Sequence, residues 1–315
     1  MHFSFTYTTE GLEINLNMQV KTKISDETDE FKTQEIGIKK IIRNDLTFGI
    51  RIRHAINLTE EEKQIDMIKL IGQVYSYFRF LYWFDDYIFT TCGAVGPNGP
   101  SYDQCIKAYD DLHWAEDKRY FKMKRDGYQT ITIPETGLYS VELRGAGYSN
   151  GFGACLKDTF KFNLGDQLTF VIGQVGSAGG NGGSFLSLNN DVIAVAGGGG
   201  RDANYASKKN GRPTGKGCFI RGGGGGIKKN GEIGVKRVSE AGSFSNGCQG
   251  GTAENSDRHF GGFGGGGYCG GGGGYHGGDA NFATSTNGSS FSSGSDHCEI
   301  IYDNIGDGSF RLVKL

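Results

Sequence analysis

Cysteine and histidine are the side chains here with the widest chemical repertoire, and their spacing limits what they can do. The seven cysteines are Cys92, Cys105, Cys155, Cys218, Cys248, Cys269 and Cys298. No two of them form a Cys-x-x-Cys pair, which argues against a structural zinc site. The six histidines, His2, His54, His113, His259, His276 and His297, are scattered along the chain. His297 precedes Cys298 and follows Asp296, which is the nearest approach to a nucleophile and its base. Adjacent residues in a strand point to opposite faces, however, so a structural thiol or a disulfide is the expected role and no catalytic residue is assigned. Gly215-Lys216 imitates part of a phosphate loop but has no Ser or Thr after the lysine, so it is not a Walker motif. Gly-x-Gly-x-x-Gly can be matched in several glycine runs, yet none lies between a strand and a helix with an acid about 20 residues further on. No cofactor and no metal are expected.

The thiols therefore point to architecture. Cys269 sits inside a polyglycine tract, where no apolar side chain is available to hold it, and a disulfide is the simplest anchor. Disulfides imply an oxidising compartment. Asn57-Leu-Thr59 and Asn287-Gly-Ser289 have the form of glycosylation acceptors, in keeping with that setting. A seventh cysteine leaves one without an obvious partner.

The elements around these residues are of two kinds. Of 55 glycines, 47 lie at or after Gly137, with runs at Gly197–Gly200, Gly222–Gly226, Gly264–Gly267 and Gly270–Gly274. Their irregular spacing and only 4 prolines exclude a collagen repeat. Between the runs lie strand-like segments: Ile131 to Leu143 around a turn, Leu168 to Gly173, Phe185 to Leu188, Val192 to Val195, and Phe310 to Leu315. A disordered linker would not contain these, so the glycine runs are expected to be insertions in an ordered β framework. Without Cβ atoms, neighbouring chains can approach closely, and extended threefold helices of glycine packed side by side can satisfy one another's backbone groups. Glycine-rich loops bridging strands are the plainer alternative.

The first half differs. Leu12 to Val20 and Leu46 to Ile52 alternate with period two, as half-buried strands do, and the polar stretch between them suits a loop or a short edge strand. Thr59-Glu-Glu-Glu62 has capping-box spacing, and Ile65, Ile68, Ile71, Val74 and Tyr75 follow at helical intervals, which predicts a helix from about Glu60 to Tyr77. The aromatic cluster from Tyr75 to Tyr87 is expected to pack against the β domain that follows rather than to form a binding face.

Charge excludes some functions. With 33 Lys+Arg against 35 Asp+Glu the net charge is -2, and Arg-Gly-Gly occurs once, at Arg221, so nucleic-acid binding is not expected. No stretch reaches the ~18 apolar residues of a membrane span. The N-terminus, Met-His-Phe-Ser-Phe-Thr-Tyr, has neither the basic start nor the apolar core of a secretory signal, so the chain is expected to be part of a longer product or to leave the cell by another route.

One stretch carries a family resemblance: Phe89-Thr-Thr-Cys92-Gly-Ala-Val-Gly-Pro97-Asn-Gly-Pro100, continuing to Gln104-Cys105 and Tyr109. It resembles the entry to the glycine-rich extracellular region of the anaplastic lymphoma kinase and leukocyte tyrosine kinase receptors. Further matches follow in the same order: Tyr139 to Gly147, Val171-Ile-Gly-Gln174-x-Gly176, Ile193 to Arg201, Gly261-Gly-Phe263 with Cys269, and Gly-Gly-Tyr275 through Ala280. The resemblance covers roughly residues 85 to 315. It implies a mainly β fold, a TNF-like β-sandwich of jelly-roll type carrying packed polyglycine helices; the small α+β segment read above over residues 1–84 has no counterpart in the family that can be placed. It also implies a disulfide between Cys92 and Cys105 and a second between Cys248 and Cys269.

The family captures small secreted proteins outside the cell and couples them to a kinase. This chain has none of the kinase motifs. Where the family carries an acidic loop that meets a basic ligand, this chain has Asn281 to Ser290 without a carboxylate, so that ligand is not implied. The expectation is a non-enzymatic, receptor-like binding or adhesion module at the cell surface, facing a protein ligand or a surface glycan and reaching a membrane only through a segment outside this sequence. The alternative is a structural glycine-rich scaffold of a cell surface or matrix.

Overall fold

A computed structural model describes the backbone of residues 2–8, 11–25 and 28–42, and residues 86–315 apart from 111–113, 150, 178–179, 202–216, 219–220, 235–236, 255, 282–283 and 296–297. The chain divides into two compact units, Met1–Phe80 and Leu81–Leu315. In the first, β1 (His2–Thr8), β2 (Gly11–Ser25) and β3 (Thr28–Ile42) form an antiparallel sheet in that order. The alternating run Leu12 to Val20 lies within β2, and the polar stretch after it is a full strand, paired from Leu12↔Ile42 to Ser25↔Thr28. The strand expected over Leu46–Ile52, the helix expected over Glu60–Tyr77 and the aromatic cluster up to Phe84 lie outside the described residues.

The second unit is mainly β. Its strands are β4 (Asp86–Phe89), β5 (Phe121–Met123), β6 (Gln129–Thr132), β7 (Gly137–Arg144), β8 (Gly153–Phe162), β9 (Gln167–Val171), β10 (Ser184–Leu188), β11 (Asp191–Ala196), β12 (Thr252–Ala253), β13 (Ser256–Phe260), β14 (Phe291–Ser292), β15 (Glu299–Asn304) and β16 (Ser309–Lys314). One five-stranded sheet runs β15-β8-β7-β16-β4 and one six-stranded sheet runs β14-β11-β10-β9-β6-β5, with antiparallel pairing throughout. All five strand segments anticipated from residue 131 onward are present.

Alternation explains why these residues make one core. In β7 the odd positions Tyr139, Val141 and Leu143 are buried, and in β8 Leu156, Phe160 and Phe162 are. They meet Phe121, Ile131, Leu168, Phe170 and Leu186 of the other sheet in a single cluster. Phe89, Phe170 and Phe310 stand 4.8 to 5.4 Å apart between ring centres, so aromatic packing joins the sheets. The opposite face of the five-stranded sheet carries charge: Glu142 pairs with Arg144 and Lys157, and Arg311 with Asp86. The β10–β11 hairpin turns through Asn189 and Asn190, both at positive φ (51° and 79°), the backbone that a two-residue hairpin requires and asparagine tolerates.

Helix α1 (Tyr102–Ala108) lies in the entry segment. Ser101 accepts the Gln104 N–H while the Gln104 side chain accepts the Ser101 N–H, a complete capping box that the Ser-x-x-Gln spacing encodes.

Candidate functional site

Two features concentrate the unusual residues of the second unit: the entry segment from Thr90 to Tyr109 and the glycine tracts. In the entry segment Cys92 is bonded to Cys105, with Cα atoms 5.0 Å apart. Cys92 holds φ at 52°, a left-handed backbone that costs a side-chain-bearing residue about 1 kcal/mol and that the crosslink keeps in place. The disulfide leans on a buried amide. Gln129, fully buried on β6, donates from Nε2 to Thr90 O at 2.9 Å and accepts the Tyr109 hydroxyl on Oε1 at 2.7 Å. Burial, set only partly against the Thr90 and Gln129 hydrogen bonds, raises the Tyr109 phenol above its ordinary value and keeps it neutral. Tyr109, Trp114 and Phe121 pack together beneath, which fixes the segment on the core.

The glycine tracts are buried, and their backbone groups are satisfied by one another. Gly198 donates to Gly273 O at 2.8 Å, Gly225 to Gly265 O at 2.8 Å, Gly224 to Gly278 O at 2.9 Å and Gly183 to Gly264 O at 2.9 Å. Return contacts run from Gly271 to Gly222 O at 3.1 Å, from Gly274 to Gly225 O at 3.2 Å and from Gly288 to Gly198 O at 2.9 Å. Every backbone N–H of Gly197–Gly200, Gly222–Gly226, Gly264–Gly267 and Gly270–Gly274 donates to a protein acceptor. Buried backbone demands that accounting, and here tracts far apart in sequence meet it mutually.

Close approach makes glycine obligatory at these crossings. A Cβ on Gly272 would collide with Gly198 O, and one on Gly182 with Phe263 O. These obstacles are backbone atoms, which cannot turn aside as a flexible side chain does.

A few polar side chains close the gaps. Asn181 accepts the Gly176 N–H on Oδ1 and donates from Nδ2 to Gly199 O at 2.9 Å. Asn287 accepts the Gly200 N–H at 2.8 Å, and Asn304 donates to Gly145 O at 2.7 Å. Asp307 accepts from Val175 N and from Thr91 Oγ1, tying the entry segment to the tracts. The end of the Asn281–Ser290 stretch, from Ser285 to Ser290, belongs to the assembly: Thr286 N–H reaches Asp279 O, and Tyr275 N–H reaches Ser289 O, both at 2.8 Å.

The remaining cysteines depart from expectation. The Cys248–Cys269 bond that the family resemblance implied is not formed, and both thiols are free. Cys248 is fully buried with Tyr128, Val171, Phe185, Val195 and Phe263 in a second apolar cluster, where burial pushes its thiol up to about 12. Its carbonyl takes the Gly264 and Gly265 N–H groups. Cys269, at φ 47°, caps the separate turn from Gly267 to Gly271. Hydrogen bonds of its glycine neighbours, Gly267 N–H to Gly271 O and Gly270 N–H to Gly267 O, close that turn, and no crosslink does. Cys155, Cys218 and Cys298 are also free. Burial raises the Cys298 thiol, with the Asp158 carboxylate adding to the effect, and His297 lies outside the described residues.

Asn287 is 3% exposed and committed to Gly200, so it is not an accessible glycan acceptor in the folded chain; Asn57 lies outside the described residues. Among the described residues no group of three or more His, Cys, Asp or Glu converges, and no helix is long and apolar enough to cross a membrane. No family model matches the sequence.

Sequence reasoning missed Gln129, Asn181, Asn304 and Asp307. Gln129 had a signal, an amide at an inward position of a strand that also carries Ile131, but its partners are 20 and 39 residues away and local spacing cannot name them.

Proposed function

We propose that this chain is a non-enzymatic, extracellular-type binding module of the glycine-rich receptor class, with a TNF-like β-sandwich that carries the tracts as packed polyglycine helices. The observation that carries this reading is the set of glycine tracts buried against one another and fully hydrogen-bonded, which supports an ordered display surface rather than a linker. The Cys92–Cys105 bond supports an oxidising, extracellular setting. The ligand differs from the family's basic ligand, because the acidic loop is replaced by Asn281–Ser290, which carries no carboxylate and whose Ser285 and Asn287 are buried against the tracts.

Calorimetric titration of the purified chain with small cytokine-like proteins and with surface glycans tests the reading. Saturable binding to one of them is expected. No saturable binding, together with concentration-dependent self-association, would replace it by the structural scaffold, a role that tracts devoted to internal contacts also suit.

A further inference from the structure

Asparagine followed by glycine is a dipeptide that can modify itself, because the glycine has no Cβ to hinder attack by its nitrogen on the asparagine side chain. This chain holds seven such pairs. Asn150 and Asn210 lie outside the described residues, and the other five differ in how firmly they are held.

Four are restrained. Asn181 is fully buried with both ends of its amide bonded, and the Gly182 N–H donates to Gln174 O at 3.0 Å. Asn287 is committed to Gly200, and the Gly288 N–H donates to Gly198 O at 2.9 Å. Asn230 accepts the Ser243 N–H and donates to Glu240, while the Gly231 N–H donates to Ala241 O at 2.8 Å. Asn246 is exposed, but it ends the 3-10 turn Phe244–Asn246, and its amide donates to the Asn230 amide oxygen at 3.1 Å.

Asn98 is not restrained. Its side chain is exposed and makes no hydrogen bond with a described residue, and neither does the Gly99 N–H. The chain on either side is fixed: Gly96 O accepts the Phe263 N–H at 2.9 Å, while Pro97 O accepts the Gly250 N–H and Pro100 O the Gly127 N–H, both at 2.8 Å. A Cβ on Gly99 would strike Gly127 Cα and the Phe263 ring, so the main chain has no slack there.

We infer that Asn98 is a site of spontaneous conversion to isoaspartate, and that this conversion loosens the entry segment from the glycine tracts. The Gly99 nitrogen loses its proton to hydroxide and bonds to Asn98 Cγ, and the side-chain nitrogen takes a proton from water and leaves as ammonia. Water then opens the succinimide ring. Cleavage between the Gly99 nitrogen and the Asn98 main-chain carbonyl carbon gives isoaspartate, and cleavage of the newly formed bond gives aspartate. In sum, asparagine and water become the acid and ammonia, with no oxidant and no cofactor. Isoaspartate carries the main chain through an additional carbon, which the bonds at Gly96, Pro97 and Pro100 cannot all absorb.

The purified full chain, folded or in denaturant, is aged at mildly alkaline pH, and each asparagine is followed by peptide mapping, with isoaspartyl methyltransferase labelling to separate isoaspartate from aspartate. In the folded chain Asn98 is expected to convert within about twofold of its rate in denaturant, whereas Asn181, Asn230 and Asn287 should slow more than about tenfold, because each must first open locally. Asn98→Gln, whose longer side chain does not close that ring, should abolish the conversion at this position. After ageing, the Gly127, Gly250 and Phe263 amides should exchange about threefold faster or more in wild type than in Asn98→Gln. Asn98→Asp, which adds the charge without the additional carbon, should match Asn98→Gln. An Asn98 that stays intact in the folded chain but converts in denaturant would overturn the proposal, as would equally fast conversion of Asn181 or Asn287 in the folded chain. Conversion that leaves those three amides as protected as in Asn98→Gln would overturn the loosening.

Discussion

The paired sheets and the glycine tracts lie in one unit but cohere by opposite means. In the sheets, large side chains such as Phe89, Phe170 and Phe310 fill the space between backbones, and the stabilisation comes from apolar area removed from water. In the tracts there is no such area to bury. Backbones approach until carbonyl oxygens occupy the place of a Cβ, and hydrogen bonds between tracts offset the high chain entropy of glycine. The lesson is that a core can be made without side chains when several chains lend one another their peptide groups.

Adding one carbon should therefore hurt most where side chains are absent. Gly272→Val, aimed at Gly198 O, is expected to destabilise by more than 4–5 kcal/mol and to leave no cooperative melting of this unit. Gly165→Ala, with open space around its Cβ but φ at 87°, should cost only about 1 kcal/mol, so equal effects of the two in chemical denaturation would break the comparison. In the sheets the sign reverses, since removing carbon is what destabilises: Phe170→Ala should cost about 3–5 kcal/mol by the same assay.

The entry clasp comes next. Cys92→Ser/Cys105→Ser opens a crosslink spanning 13 residues and should cost about 3 kcal/mol, and non-reducing peptide mapping of the wild type should find Cys92 joined to Cys105 while Cys248 and Cys269 stay alkylatable after unfolding.

Smallest is the charged outer face. Burial raises the Glu142 carboxyl, but Arg144 and Lys157 outweigh it and hold the group below its ordinary value. A depressed folded-state value means stability that is complete above the unfolded ~4.3 and lost as pH falls through the folded value. Glu142→Gln should therefore cost only about 0.5–1 kcal/mol at neutral pH and flatten the acid limb of the stability profile, with no change in the tracts.

How far each region could be read from sequence follows from the same contrast. Strands with side chains announce themselves: Tyr139, Val141 and Leu143 alternate with polar residues, and their burial follows. β8 carries the same alternation in Leu156, Phe160 and Phe162, although Asp158 at an inward position, accepting the Ser292 and Ser295 hydroxyls, disguises it. The tracts give no such periodicity, because glycine has no face. Which tract meets which is fixed by carbonyl positions contributed from 75 residues away, as in the Gly198–Gly273 bond. The cysteines divide likewise: Cys92 and Cys105 lie within one short segment and pair, whereas the fate of Cys248 depended on Tyr128, Phe185 and Phe263, which no local spacing reveals.

Amide hydrogen exchange across residues 197 to 278 tests the mutual bonding of the tracts most directly. Gly198, Gly224, Gly225, Gly264 and Gly273 are expected to exchange as slowly as the amides of β7 and β8. Exchange at the rate of an unstructured chain at those glycines, with β7 and β8 still protected, would contradict the account.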